Sequence, residues 1–277
     1  MTDPKDGIET APREQYTHGH HESVLRSHTW RTVENSAAYL IPELSAGRSL
    51  LDIGSGLGTI TVDLARRLQP GTVVGIDVSA AIVRRAEGLA RDEGVTNARF
   101  QVGDVYTLDF PDDAFDIVHA HQVLQHLANP VAAMQEIRRV LKPGGTFAAR
   151  DADYGGVVWY PELPGLQQWM IVYRQVLYWN GGRPDAGRAL KAWARQAEFS
   201  DVTSGASIWC FTSDAEREWW GKSWAERATE SNFAAHAIAS GAAELPDLQA
   251  IAAAWRQWVA NPDGWFAMPH GEILARK

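Results

Sequence analysis

Between residues 48 and 150 the chain alternates two hydropathy patterns. Short, nearly unbroken apolar runs (RSLLDIG, GTVVGIDV, NARFQVGD, FDIVHAH and TFAARDAD) read as strands. Between them, GTITVDLARRLQ, AAIVRRAEGLARDEG and NPVAAMQEIRRVLKPGG place apolar residues three or four apart, as a helix with one buried face requires. The second of these stops at Gly94 and the third at Pro143-Gly144-Gly145. Strands that are apolar on both faces, separated by amphipathic helices and short loops, predict a parallel sheet covered on both sides.

The flanks follow other patterns. Residues 1–15 read as a loose tail, and HESVLRSHTWRTVENSAAYLIPEL carries helix-like apolar spacing that ends near Pro42. After residue 150 come two helical stretches, LPGLQQWMIVYRQVLYWN and DAGRALKAWARQAEF, and then a strand, DVTSGASIWCF. A Trp-rich stretch at 213–260 predicts several helices, and WFAMPHGEILARK a last strand. The expected organisation is a tail and cap helices over 1–45, a core over 46–154, and lid helices with the closing strands over 155–277.

Composition narrows the class. With 45% apolar and 22% charged residues the chain is globular rather than disordered. A formal charge of −8 argues against a nucleic-acid partner, which calls for a basic stripe. No segment approaches the roughly 18 unbroken apolar residues of a membrane span. One cysteine, Cys210, cannot make an internal disulfide, and a cytoplasmic protein is expected.

The chemistry begins at Asp52-Ile53-Gly54-Ser55-Gly56-Leu57-Gly58-Thr59, where three glycines fall at a strand-to-helix turn. Glycine there permits positive φ and close approach of a ligand to the backbone, and the following helix offers free N–H groups. A dinucleotide turn, G-x-G-x-x-G, would need glycine at position 59, which is Thr59. No Lys-Ser/Thr pair follows to make a phosphate loop either. The D-x-G-x-G-x-G pattern resembles motif I of the class I S-adenosylmethionine-dependent methyltransferases. Asp77, ending the second strand nineteen residues after Gly58, Asp104 after the third, FDIVHAHQVLQHL and VLKPGG agree in order with that family. Over residues 48–150 the chain is similar to the branch holding the ubiquinone and menaquinone C-methyltransferases and many small-molecule methyltransferases. The flanks do not match the quinone enzymes, so their substrate is not carried over.

The resemblance implies a Rossmann-like α/β fold: seven strands, mostly parallel, helices on both faces, an N-terminal helical cap and helical lid insertions. The last two strands, about 201–211 and 264–276, are expected to pair antiparallel. It implies S-adenosyl-L-methionine as methyl donor, leaving as S-adenosyl-L-homocysteine. The implied donor site comprises Asp52, Gly54, Ser55, Gly56, Gly58, Asp77, Val78, Gly103, Asp104, Val105, His121 and Gln122. Asp77 would hold the ribose hydroxyls, and Asp104 with the Val105 backbone the adenine.

Methyl transfer by in-line displacement needs a dry, aligned site, and a base only if the nucleophile arrives protonated. Enzymes of this fold that methylate adenine or glutamine amino groups carry Asn/Asp-Pro-Pro-aromatic after strand four. Here His119-Ala120-His121-Gln122 stands instead, which with the acidic charge favours a small-molecule acceptor, expected to be apolar or aromatic and methylated on oxygen, carbon or nitrogen. His121, Asp151 and Tyr16 are the expected catalytic residues; Asp153, Tyr154 and His126 are further candidates that could equally pack or cap. His18, His20 and His21 lack a matching Cys or carboxylate array, so no metal site is expected. Trp159, Trp169, Tyr173, Trp179, Trp219, Trp220 and Trp224 would favour an apolar or aromatic acceptor if they line a lid, and pack between helices otherwise. The helices could cover one subunit's site or join copies in a homo-oligomer. A nicotinamide oxidoreductase, or a protein that binds S-adenosylmethionine without turnover, remain as alternatives at this stage.

Overall fold

Leu50–Ile53 (β1) is buried at every position because it lies inside a sheet covered on both faces. The computed structural model describes Thr17 and residues 29–277. Around β1 stand Val73–Asp77 (β2), Ala98–Val102 (β3), Phe115–His121 (β4) and Leu141–Ala152 (β5). These five pair in parallel, in the order β3-β2-β1-β4-β5. Trp265–Arg276 (β8) runs antiparallel to β5 and continues past it to pair with the short Val158–Tyr160 (β6). Ser200–Phe211 (β7) pairs antiparallel along the other edge of β8, from Arg276 to Phe266, and is the expected partner of the last strand.

Alternate residues of each strand serve opposite faces. Leu51, Val118 and Ala120 pack with Met134 and Ile137 of Pro130–Val140 (α4) and Leu190 of Ala186–Gln196 (α6). Leu50, Val73 and Ile117 pack with Leu64 of Thr59–Leu68 (α2) and Val83 and Ala86 of Ala80–Asp92 (α3). Local chemistry starts these helices where the sequence places them: the Ser79 hydroxyl accepts the Ile82 N–H, and Asn129 accepts the Ala132 N–H ahead of Pro130.

A third core packs helices against residues of β7 and β8. Pro164–Trp179 (α5), Asp214–Glu230 (α7), Asn232–Ala239 (α8) and Leu245–Ala260 (α9) enclose Trp169, Trp224, Trp255, Trp258, Tyr173 and Phe266. Helices α7 and α9 approach closely because Gly221 has no side chain; a Cβ there would stand 2.3 Å from the Val259 methyl.

Three expectations change. The cap region past residue 29 is not one helix: Val33–Ser36 (α1) is a single turn fixed by the Thr32 capping box, and a 3-10 stretch Ala38–Glu43 follows. Helix α4 ends at Val140, and Lys142–Gly145 joins the start of β5. Among the described residues the seven expected strands are joined by one short addition, β6.

Candidate active site

The turn after β1 takes left-handed backbone at Gly54 (φ 64°), Gly56 (φ 55°) and Gly58 (φ 83°), which non-glycine residues rarely adopt. Gly58 is also the N-cap of α2 and carries no capping side chain. Beside the turn is a cavity of about 430 Å³ along the carboxyl ends of β3, β2, β1 and β4. Open parallel sheets bind ligands at this edge. Gly54, Ser55, Gly56, Asp77, Val78 and Gly103 reach it from the strand ends, joined by Asp104, Val105, His121 and Gln122.

The individual side chains differ in how far they are already committed. Asp77 Oδ1 accepts the Ser79 N–H at 2.9 Å and Oδ2 the Gly56 N–H at 3.3 Å, so this carboxylate also holds the glycine turn in place. Asp104 Oδ1 accepts the Tyr106 N–H at 2.9 Å. The Ser55 hydroxyl is buried without a hydrogen-bond partner, a cost a ligand group can remove. Asp52 borders the cavity, but its two oxygens are engaged by Thr61 Oγ1 (2.5 Å) and His119 Nδ1 (2.7 Å). It braces the turn from below.

Two expected residues do not line the cavity. A Cβ on Gly58 would stand 2.9 Å from the Phe100 ring and 3.0 Å from Ala86, so this glycine lets α2 pack on β3 and α3. Asp151 lies in the seam between β5 and β8, opposite Gly271. Its Oδ1 accepts the Gln125 N–H at 3.0 Å, and burial pushes its pKa up to about 7. Asp153 is taken by a two-pronged ion pair from Arg188, at 2.6 and 2.5 Å, and Tyr154 packs on Tyr173. Tyr16, His18, His20 and His21 lie outside the described residues. Among the described residues no His/Cys/Asp/Glu group is arranged to hold a metal.

The end of the cavity at β4 carries residues that strand patterns alone do not reveal. Gln122 has φ 55°, a strained position for a side-chain-bearing residue. Its Oε1 accepts from Arg31 Nη2 at 2.8 Å, and its Nε2 meets His270 Nε2 at 2.8 Å. His270 Nδ1 reaches the Met268 carbonyl at 3.0 Å. His121 is buried, and neither ring nitrogen has a hydrogen-bond partner. Burial, then the charges of Arg31 and Arg150, hold its pKa well below the usual imidazole value. His126 also borders the cavity, with its pKa pushed down to about 3 by burial. Behind His121 stands Trp209, 5.6 Å away, with the Arg150 guanidinium 4.8 Å over its ring. Trp209 and His270 reach this place through the strand order and Arg31 from the segment before α1, and nothing in their local sequence marks them.

The expected lid aromatics are elsewhere. Trp169, Tyr173, Trp220 and Trp224 belong to the separate helical core, with Trp159 and Trp219 packed against it. Trp179 is exposed beside His236. They therefore give no argument for an aromatic acceptor.

A methyltransferase-domain family matches residues 44–203. Over 272 residues, 95% of this chain and 96% of the other, the sequence is 34% identical to an uncharacterized methyltransferase of Schizosaccharomyces pombe. The fold is similar to that of the YcgJ protein of Bacillus subtilis, with a TM-score of 0.59 at 22% identity over 88% of this chain and 98% of that one. It is also similar to phosphoethanolamine N-methyltransferase 2 of Haemonchus contortus, solved with S-adenosylhomocysteine. There the TM-score is 0.55 at 18% identity, over 88% of this chain and 53% of that one.

Proposed function

The chain belongs to the methyltransferase-domain family, and on that footing we propose that it transfers a methyl group from S-adenosylmethionine to an apolar small molecule. When bound, the donor supplies a sulfonium methyl open to in-line attack. The observation that carries this reading is the convergence of the glycine turn, Asp77, Asp104 and His121 on one cavity at the carboxyl edge of the sheet. The Ser55 hydroxyl, orphaned in that cavity, fits a polar ligand.

In this reading Asp77 accepts both ribose hydroxyls, and Asp104 with the Val105 backbone holds the base. The turn at Gly54 and Gly56 lets the methionine part lie against the main chain. Gln122, fixed by Arg31 and His270, borders the methyl-bearing end. Leu57, Ile82, Val123 and Leu127 supply apolar walls that exclude water. The acidic balance of −8 supports a small acceptor over a nucleic acid.

Methyl-labelled S-adenosylmethionine, incubated with the protein, a panel of small organic acceptors, mixed tRNA and a peptide pool, tests the proposal. Label is expected in the low-molecular-mass organic fraction. Label that precipitates with RNA or peptide contradicts it.

A further inference from the structure

The imidazoles around the β4 end are unequal in what they can still do. His270 has both nitrogens committed, to Gln122 and to the Met268 carbonyl. His119 has Nδ1 on Asp52. His126 Nε2 lies 3.1 Å from the Gln125 amide. His121 borders the cavity, is 6% exposed, and alone of these leaves both nitrogens without a partner among the described residues. A buried polar group in that condition costs stability unless a ligand completes it.

The charges facing His121 are cationic. Arg31 comes from the segment before α1, Arg150 from β5; the neighbouring imidazoles are His119 on β4 and His270 on β8. The carboxylates of the neighbourhood are engaged: Glu272 pairs with Arg150 at 3.1 Å, and Asp52 is held by His119 and Thr61. An ammonium group would enter without a carboxylate to meet it. An oxygen that becomes an anion would be matched by the surrounding positive charge.

We propose that the acceptor is an acidic hydroxyl, a phenol or an enol, which gives its proton to His121 and is methylated on oxygen. The inference rests on the methyltransferase reading above and names the acceptor class of the same site. The hydroxyl proton passes to an imidazole nitrogen of His121 and an oxygen lone pair forms the bond to the methyl carbon. The carbon–sulfur pair stays on sulfur as a neutral thioether, and His121 releases its proton to water. Burial and the two guanidiniums disfavour a lone imidazolium, and the oxyanion formed beside it offsets that charge, so the proton moves only as the pair forms.

The test uses the full chain loaded with S-adenosylhomocysteine, with 4-nitrophenol as the probe. Wild type is expected to bind it ionised, shown by the phenolate absorption band at a pH where the free probe is mostly protonated. In His121→Ala and His121→Asn that band is expected to shift by at least about one pH unit. Methylation of the probe at saturating S-adenosylmethionine should fall about 100-fold. The second variant, close to histidine in size and polarity, separates loss of the base from loss of packing. Unchanged ionisation in both variants, or preferential methylation of phenylethylamine over the phenol, overturns the proposal. Failure of wild type to bind S-adenosylhomocysteine overturns the donor reading; binding with no probe ionised overturns the acceptor class alone.

Discussion

Replacing Trp169 with alanine is expected to cost about 3–5 kcal/mol of stability, the range for deleting a large buried aromatic. Trp169 is fully buried on α5, with ring centroids of Trp224 at 4.7 Å and Trp255 at 4.9 Å, both at nearly right angles. Edge-to-face pairs of this kind add to area burial, so the cavity left by alanine loses several contacts together. Because this core is separate from the cores on the two sheet faces, binding of S-adenosylhomocysteine should stay within about threefold of wild type. Urea unfolding and a ligand titration on the same variant check both halves. A variant of unchanged stability but altered acceptor KM would instead place Trp169 in the substrate site.

Acidification is expected to destabilise the protein well before its surface carboxylates titrate. His121, His126 and His270 each hold a folded pKa below the ordinary 6.5, with burial the largest cause. Below that pH the unfolded chain takes up three protons that the folded chain refuses, so stability falls as pH falls. Asp151 acts in the opposite sense. Its folded pKa of about 7 lies above the ordinary 3.8, so the folded chain keeps a proton that the unfolded chain has lost. Two net protons remain, which removes ~3 kcal/mol of stability between pH 6.5 and 5. The partly buried His236 adds in the same direction as the other imidazoles. Unfolding free energies across that pH window check the slope, and Asp151→Asn should steepen it. Constant stability from pH 7 to 5 contradicts the burial of the three imidazoles.

The parts that were legible in the sequence are those whose pattern and place coincide. Strands β1, β2 and β4 announce themselves because both faces are buried, and the glycine turn because three positions need positive φ. Asp77 and Asp104 follow, being fixed to strand ends by their place in the chain. Strand β6 gave no such sign: Val158 and Tyr160 are exposed, and three residues are too few to show alternation. The tryptophans were ambiguous because helical spacing does not say which surface a helix covers. Here the answer is a core of their own. The β4 end was only half readable. His121 belongs to a strand end, whereas His270 arrives because β8 runs antiparallel with His270 opposite Ala152, and Trp209 because β7 pairs with β8 at Met268. Register between distant strands carries that information, and no local spacing does. Gly58 shows the converse: a motif position that reads as ligand-binding is placed by packing against Phe100.

The central claim, that the glycine turn and Asp77 hold the nucleoside of the methyl donor, is tested most directly by calorimetric titration. S-adenosylhomocysteine and NADH would each be titrated into wild type and Asp77→Ala. Wild type is expected to bind the first and not the second. The variant should bind about 10- to 100-fold more weakly, the loss of charge-assisted hydrogen bonds worth roughly 1.5–3 kcal/mol. Tight NADH binding, or equal affinity for S-adenosylhomocysteine in variant and wild type, would contradict it.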